Sequence, residues 1–211
     1  KLEKCGMQAV QPGIESGSPK ILQMINKGET VQDFIKANRK LAKTKIIPLY
    51  NFMMGFPTET RKDILQSVDL AVRLMKENPQ AQISGFYVFV PYPGTELYDL
   101  AIKNGFKAPK SVEKWAVFNR QHLVTPWIQK DLRLMKSLLT SSKFVDGTRF
   151  PNRLRTAFKD LPFPVSVGDQ LGRFYQKRWK QHIFDPELDS IISEITLGLF
   201  DLSQSIKQRE D

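Results

Sequence analysis

Three times in the first half of the chain, an apolar run of strand length is followed by a run with the spacing of an amphipathic helix. The strand-like runs cover residues 7–14, 46–54 and 82–90. Alternation of this kind favours right-handed βαβ units whose strands lie parallel in one sheet. The run at 46–54 is almost entirely apolar, as expected for a strand covered on both faces. The sequence therefore predicts an α/β fold.

Helix signals follow each predicted strand. Thr30 with Asp33, and Thr60 with Asp63, have the spacing of a capping box, and Gly105 stands where a helix end favours a left-handed residue. Beyond Gly105 the strand pattern stops. Helices are predicted there at about 127–141, 168–183 and 187–206. We therefore predict an α/β domain over residues 1–105 and a helical extension over residues 106–211.

The first part of the extension is strongly basic. Residues 106–185 contain 16 basic and six acidic residues, an excess of +10 that equals the net charge of the whole sequence. Between residues 149 and 184 the basic residues interleave with aromatic ones. Such a segment could bind RNA or rest on an anionic membrane surface, although a solvated helical face with inward aromatics is the more common outcome. Nucleic acid is therefore a candidate partner that is not favoured.

Cysteine is too scarce for a metal centre or a disulfide. Cys5 is the only cysteine, and His122 and His182 are the only histidines. These residues cannot form a structural zinc site or hold an iron–sulfur cluster unaided, so we predict no metal ligands. Cys5 is expected to be a small buried residue. The lack of disulfides and of any long uncharged apolar run predicts a cytoplasmic chain without a transmembrane segment.

Each predicted strand ends in a distinctive loop. The loops are "GIESGS", "GFPTET" and "PYPGTEL", and the carboxyl ends of parallel strands meet where ligands bind. Glu15 and Ser16 offer acceptors for hydroxyl or amino groups, while Phe56, Pro57 and Tyr92 offer flat apolar surface. Glu15 has an alternative role as a carboxylate at a helix N-terminus.

Taken in order, these loops resemble the later half of the barrel of the radical S-adenosylmethionine (radical SAM) superfamily. The resemblance covers residues 2–105 and is nearest to the branch that carries a cobalamin-binding domain. It implies a partial TIM-type barrel in which the three strands are the fourth, fifth and sixth. It also implies S-adenosylmethionine and a 4Fe-4S cluster as cofactors, with cobalamin as an open third.

The resemblance implies roles for residues in all three loops. Glu15 and Ser16 would contact the ribose or the methionine end of S-adenosylmethionine. The fifth-strand loop would pass beside the adenosine, and the sixth strand would border the adenine. The residues implied there are Gly55, Phe56, Pro57, Glu59, Pro91 and Tyr92. Glu59 would hold its loop by hydrogen bonds. Phe52 stands where the family pattern has its first glycine, which leaves the adenine contacts open.

The family's cluster-binding motif, C-x-x-x-C-x-x-C, does not occur in this sequence. We therefore expect the chain to be the C-terminal piece of a radical SAM enzyme, inactive alone and partnered by an upstream half. Its substrate would be a small molecule or a lipid, and the sequence identifies no catalytic residue. The alternative is a non-catalytic module whose basic helices contact RNA, a membrane surface or a protein.

A partial barrel leaves sheet edges unpaired. The strand at 7–14 should be an exposed edge if upstream strands belong beside it. The inward faces of Tyr50, Phe52 and Phe86 should then be partly open to solvent, which would make the isolated chain prone to association.

Overall fold

The computed structural model describes residues 2–116, 125–147 and 165–207. His122 and the basic segment at 149–164 lie outside the described residues, so the predictions that concern them stay predictions. The fold is a parallel sheet flanked by helices and followed by further helices, as the sequence predicts.

The three βα units occupy residues 9–103. The strands are β1 Ala9–Val10, β2 Gly13–Glu15, β3 Ile47–Met54 and β4 Gln82–Val88. The helices are α1 Pro19–Met24, α2 Val31–Leu41, α3 Arg61–Glu77 and α4 Glu96–Lys103. Both predicted capping boxes form, at the start of α2 and of α3. Gly105 has the left-handed φ of 90° that ends the last unit.

The following helices are α5 Val112–Ala116, α6 Leu132–Ser141, α7 Val165–Lys180 and α8 Pro186–Lys207, and a 3-10 turn at Pro126–Asp131 leads into α6. None of the described helices is both long and apolar enough to cross a membrane.

The first strand is interrupted rather than continuous. β1 and β2 both pair in parallel with β3, Ala9 opposite Ile47 and Gly13 opposite Asn51. The two pairs have the same offset, so β1 and β2 are one strand broken around Pro12, which lacks an N–H for the ladder. β4 pairs with the other side of β3. Within the described ranges no strand pairs with the outer edge of β1 and β2.

The helical extension covers the outer edge of β4. The N–H of Ile83 donates to Asp146 Oδ2 at 2.9 Å, and the N–H of Phe86 donates to Ser142 Oγ at 3.4 Å. Side chains therefore satisfy backbone groups that another strand would otherwise take up. The sheet is closed to new strands on this side and open on the side of β1 and β2.

The prediction that Tyr50, Phe52 and Phe86 are partly open to solvent is wrong. They are 2%, 0% and 2% exposed. The three side chains lie on the helix-covered face of the sheet, where Phe52 stacks on Phe86 at 4.9 Å between ring centroids and Trp179 of α7 meets Phe86 edge-on at 5.4 Å. The residues that alternate with them, such as Asn51, line the open face. The expectation from the sequence therefore exchanged the helix-covered face of the sheet with the open face.

Cys5, predicted to be buried, is exposed. It lies in the 3-10 turn Glu3–Cys5, which buries no residue. The predicted boundary at residue 105 remains a prediction, although one hydrophobic core contains residues from both sides of it, among them Phe52, Met135 and Trp179.

Two glycines bring α7 close to the turn after α6. A Cβ on Gly172 would lie 2.9 Å from the Cα and the N of Gly147. We expect Gly172→Ala to lower the free energy of unfolding by about 1–3 kcal/mol, because backbone must move to make room. Chemical denaturation measures this loss. Gln170→Ala, at an exposed position of the same helix, should stay within about 0.5 kcal/mol of the unmodified protein. Equal effects would contradict the close packing.

Candidate functional site

A cleft of about 550 Å³ lies at the carboxyl edge of the sheet. Its lining comes from all three strand ends: Gln11, Glu15, Ile25, Asn51, Met53, Phe56, Tyr87, Val88, Phe89, Val90, Tyr92, Thr95 and Leu97. The volume falls in the range of small-molecule sites. The structure thus brings Glu15, Phe56 and Tyr92 of the predicted site residues to one cavity.

Glu15 is held in an unfavourable backbone conformation. Its φ is 62° at the end of β2, a left-handed value that costs an L-residue roughly 1–2 kcal/mol. The carboxylate folds back over Gly13, where an added Cβ would lie 2.2 Å from Oε1, and this oxygen is 3.5 Å from Lys27 Nζ. Strain of this kind at a ligand cleft suggests a functional constraint. Glu15 lines the cleft and Ser18 is the residue that caps α1, so Glu15 is not the cap, and its role beside the helix terminus stays a prediction.

Aromatic rings form the apolar side of the cleft. Phe56 is 2% exposed and packs on Phe89 with 5.1 Å between ring centroids. Tyr92 is 60% exposed, so its ring is available at the mouth. Tyr92 therefore offers the accessible ring surface for a planar heterocycle, and Phe56 belongs to the buried apolar wall beside it.

The "GIESGS" loop is held by hydrogen bonds to Ser67 of α3. Ser16 is fully buried, and its hydroxyl is bound to Ser67 Oγ at 3.2 Å and to the N–H of Ser18 at 3.0 Å. The N–H of Gly17 donates to Ser67 Oγ at 2.8 Å, and a Cβ on Gly17 would lie 2.3 Å from Gln66 O. The Ser16 side chain is therefore bound to α3 and is absent from the cleft lining.

Asp63 joins two of the loops. Its carboxylate accepts hydrogen bonds from Ser18 Oγ at 2.6 Å, from Thr60 Oγ1 at 2.6 Å and from Lys20 Nζ at 3.1 Å. The N–H of Thr60 adds a fourth at 2.9 Å. Burial alone would raise the pKa of Asp63, but these hydrogen bonds favour the ionised form and lower its pKa to about 2. The first turns of α1 and α3 are locked together by this carboxylate.

Glu59 holds the "GFPTET" loop as the resemblance implies. Its Oε2 accepts from the N–H of Gly55 at 2.5 Å and from the N–H of Phe56 at 3.2 Å. Oε1 is buried with no hydrogen-bond partner in the described part of the chain. Burial raises the pKa of Glu59 to about 8, against the opposing effect of the two N–H donors.

Gly55 is enclosed on its outer side by the helical extension. Its φ is 82°, and an added Cβ would lie 2.9 Å from Met135 Cε and 3.3 Å from Ile128 Cγ2. Trp127 Nε1 donates to the carbonyl oxygen of Gly55 at 2.9 Å. Gly55 thus supports the cleft wall from behind and does not line the cleft itself.

Comparisons with known proteins find one family and several relatives with similar sequences. The model of the radical SAM superfamily matches residues 1–71. A methyltransferase of Pyrococcus horikoshii, itself described as uncharacterized, is 34% identical over 136 residues, which are 63% of this chain and 28% of that protein.

These two matches support membership of the chain in the radical SAM superfamily.

Two further relatives have names that concern transfer RNA. The tRNA-2-methylthio-N(6)-dimethylallyladenosine synthase of Pelagibacter ubique is 27% identical over 154 residues, 70% of this chain and 32% of that protein. The tRNA uridine(34) acetyltransferase of Methanocaldococcus infernus is 25% identical over 161 residues, 74% of this chain and 29% of that protein. This chain spans about 30% of the length of the curated relatives it matches.

The radical SAM cofactors differ in how well these residues suit them. A half-buried carboxylate beside aromatic rings, in a cleft of about 550 Å³, suits a nucleoside with ribose hydroxyls and a flat base. A 4Fe-4S cluster has no fit here, because Cys5 is the only thiolate and the described residues contain no group of three metal-ligating side chains.

Five of the residues predicted from the radical SAM resemblance lie beside the cleft. Pro57 and Pro91 are buried. Ser16, Gly55 and Glu59 take part in the hydrogen bonds that hold the loops. Cofactor contact by these five residues stays a prediction.

A polar layer across the open face was missed by the sequence reasoning. Gln11 Nε2 donates to Asn51 Oδ1 at 3.2 Å and to Ser84 Oγ at 3.1 Å. Gln11 and Asn51 line the same cleft as Glu15. The available signal was Asn51 itself, a carboxamide in an otherwise apolar strand, which marks the face that is not packed against helices.

The carboxyl of Glu59 should make stability depend on pH. The native state keeps the proton between pH 4.5, the ordinary pKa, and about 8, whereas the unfolded state loses it. The contribution of Glu59 to the free energy of unfolding is therefore complete below pH 4.5. It falls between pH 4.5 and about 8, by at most about 1.4 kcal/mol per pH unit, and does not fall further above that. Denaturation of the unmodified chain and of Glu59→Gln across this range measures the difference. An identical slope in both proteins would refute a raised pKa.

Proposed function

We propose that this chain forms the later-strand wall of the S-adenosylmethionine site in a radical SAM enzyme. The observation that supports this most is the single cleft shared by Glu15, Phe56 and Tyr92, each from a different strand-end loop. Parallel α/β sheets bind ligands at this edge, outside the carboxyl ends of their strands.

Each residue of the cleft has a distinct role in this proposal. The carboxylate of Glu15 accepts hydrogen bonds from ribose hydroxyls, and its backbone strain keeps it aimed at them. Tyr92 provides a ring surface for the adenine at the mouth of the cleft, and Phe56 forms part of the apolar wall next to it. Bound S-adenosylmethionine supplies a 5′-deoxyadenosyl radical or a methyl group in this superfamily. The residues described here bind and orient it.

The cluster ligands must come from another part of the protein. The open edge of β1 and β2 is where upstream strands would pair, so we propose that the upstream half of the barrel docks there. Radical methyl transfer is the reaction subtype that the methyltransferase relative favours. A cobalamin domain in the complete protein remains part of the proposal, with a small molecule or a lipid as the substrate.

RNA is a second candidate partner. Arg173, Lys177 and Lys180 recur at helical spacing on the exposed side of α7, with the ring of Phe174 40% exposed beside them. Cations and an accessible ring suit phosphates and bases, and two relatives are named for tRNA. The inward packing of Tyr175 and Trp179, 0% and 1% exposed, favours the plainer reading of this segment as a structural helix.

Equilibrium dialysis of the complete protein against S-adenosylmethionine tests the proposal. We expect saturable binding of one molecule per chain, displaced by S-adenosylhomocysteine, which shares the nucleoside. Binding of tRNA with no binding of S-adenosylmethionine would favour the non-catalytic alternative.

A further inference from the structure

One hydrogen bond crosses from the helical extension to the loop behind the cleft. Trp127, in the 3-10 turn Pro126–Asp131, donates through Nε1 to the oxygen of Gly55 at 2.9 Å. The contact spans 72 residues of sequence. The same turn approaches α3, where Arg61 Nη1 lies 3.7 Å from Asp131 Oδ1.

The hydrogen bond completes the support of a single peptide group. The Gly55–Phe56 peptide has two polar atoms, the oxygen of Gly55 and the N–H of Phe56. Trp127 binds the first, and Glu59 Oε2 binds the second at 3.2 Å. A peptide held at both ends cannot rotate without breaking a hydrogen bond in a buried setting, which is costly.

The fixed peptide leads directly into the cleft wall. Phe56 follows it, and the Phe56 ring lines the cleft against Phe89. Rotation of the peptide would tilt this ring. Met135 and Ile128 also fill the space behind Gly55, so the loop is fixed from the same side by packing as well.

We propose that Trp127 is a positioning residue for the nucleoside wall: through the Gly55 carbonyl, it fixes the orientation of the Phe56 ring from the helical extension. This inference rests on the proposed function for its ligand. The immobilisation of the Gly55–Phe56 peptide does not depend on any ligand.

The test uses Trp127→Phe in the complete protein, with Trp179→Phe as the matched control. Trp179 also donates through its indole N–H, to Ser141 Oγ at 3.0 Å, but it is buried in the core at 1% exposure and makes no hydrogen bond to the loop. Three quantities are measured for each protein: the Kd for S-adenosylmethionine, the thermal midpoint, and the hydrogen-exchange rates of the Gly55 and Phe56 amides without ligand.

Trp127→Phe should raise the Kd about 3- to 10-fold, the effect of one net hydrogen bond, and should speed exchange at both amides. Trp179→Phe should lower the thermal midpoint at least as much and leave the Kd and these amides unchanged. Unchanged exchange in Trp127→Phe, or a Kd that tracks the thermal midpoint in both variants, would overturn the inference. Absence of binding by the unmodified protein, with faster exchange in Trp127→Phe, would instead refute the proposed function but support the immobilisation of the Gly55–Phe56 peptide by Trp127.

Discussion

Asp63→Asn should lower the free energy of unfolding by about 2 kcal/mol at neutral pH, equivalent to about 5 °C in the thermal midpoint. The reason is the ionised carboxylate, which accepts from Ser18, Thr60 and Lys20 in the native state only. Its pKa of about 2, against the ordinary 3.8, measures that preference. Denaturation by urea gives the loss directly.

The same carboxylate gives the loss a characteristic pH dependence. Because the native pKa is lowered, the stabilisation is complete above pH 3.8 and disappears as the pH falls through about 2. The unmodified protein and Asp63→Asn should therefore converge in acid. Asp33→Asn is the matched control, since Asp33 forms the same capping box with Thr30 at an exposed site, and the hydrogen bonds to its carboxylate within the described ranges come from Thr30. It should cost less, and an equal cost would contradict the role of Asp63 as a link between loops.

Glu15→Gly should weaken binding of S-adenosylmethionine by about 10- to 100-fold, the range for hydrogen bonds to a charged group. It should also stabilise the fold by about 0.5–1 kcal/mol, because glycine accepts the φ of 62° that strains Glu15. Opposite changes in binding and stability are the mark of a residue kept for its ligand. Dialysis and thermal denaturation measure the two effects.

Two variants separate charge from backbone strain at this position. Glu15→Gln keeps the strained backbone and removes the charge, so it should weaken binding without gaining stability. Asn26→Gly relieves another left-handed residue, with a φ of 50° and no place in the cleft lining. It should leave binding unchanged. If Glu15→Gly binds S-adenosylmethionine as tightly as the unmodified protein, then Glu15 has no role in binding the ribose.

Local features of the fold were readable from sequence because their partners are near in the chain. The capping boxes at Thr30 and Thr60 each need one residue three positions on, and both form. Gly105 likewise needs only a helix before it. The βα alternation gave the parallel sheet for the same reason, since each unit is contiguous and the hand of its crossover is fixed.

The faces of the sheet were not readable, because alternation groups residues without saying which group is inside. In an almost wholly apolar strand, Tyr50 and Phe52 look as suited to an open barrel interior as to a helix interface. The packing of helices decides between them: Tyr50 donates to Asn38 Oδ1 of α2, and Trp179 of α7 meets Phe86. The carboxamide of Asn51 was the one local hint.

The support of the candidate site depends on distant partners. Ser16 seemed a ligand group, but its hydroxyl is bound to Ser67, 51 residues away. Trp127 gave no signal at all, because its significance comes from a carbonyl 72 residues earlier. The resemblance to the family pointed to Glu15, Phe56 and Tyr92, which line the cleft. It could not distinguish these residues from those that hold the loops in place.

The position of the nucleoside is the most direct test of the account. A crystal structure of the complete protein with S-adenosylmethionine should show the ribose hydroxyls within hydrogen-bond distance of the Glu15 carboxylate and the adenine beside Phe56 and Tyr92. A cofactor bound elsewhere, with Glu15 still turned only toward Lys27, would contradict it.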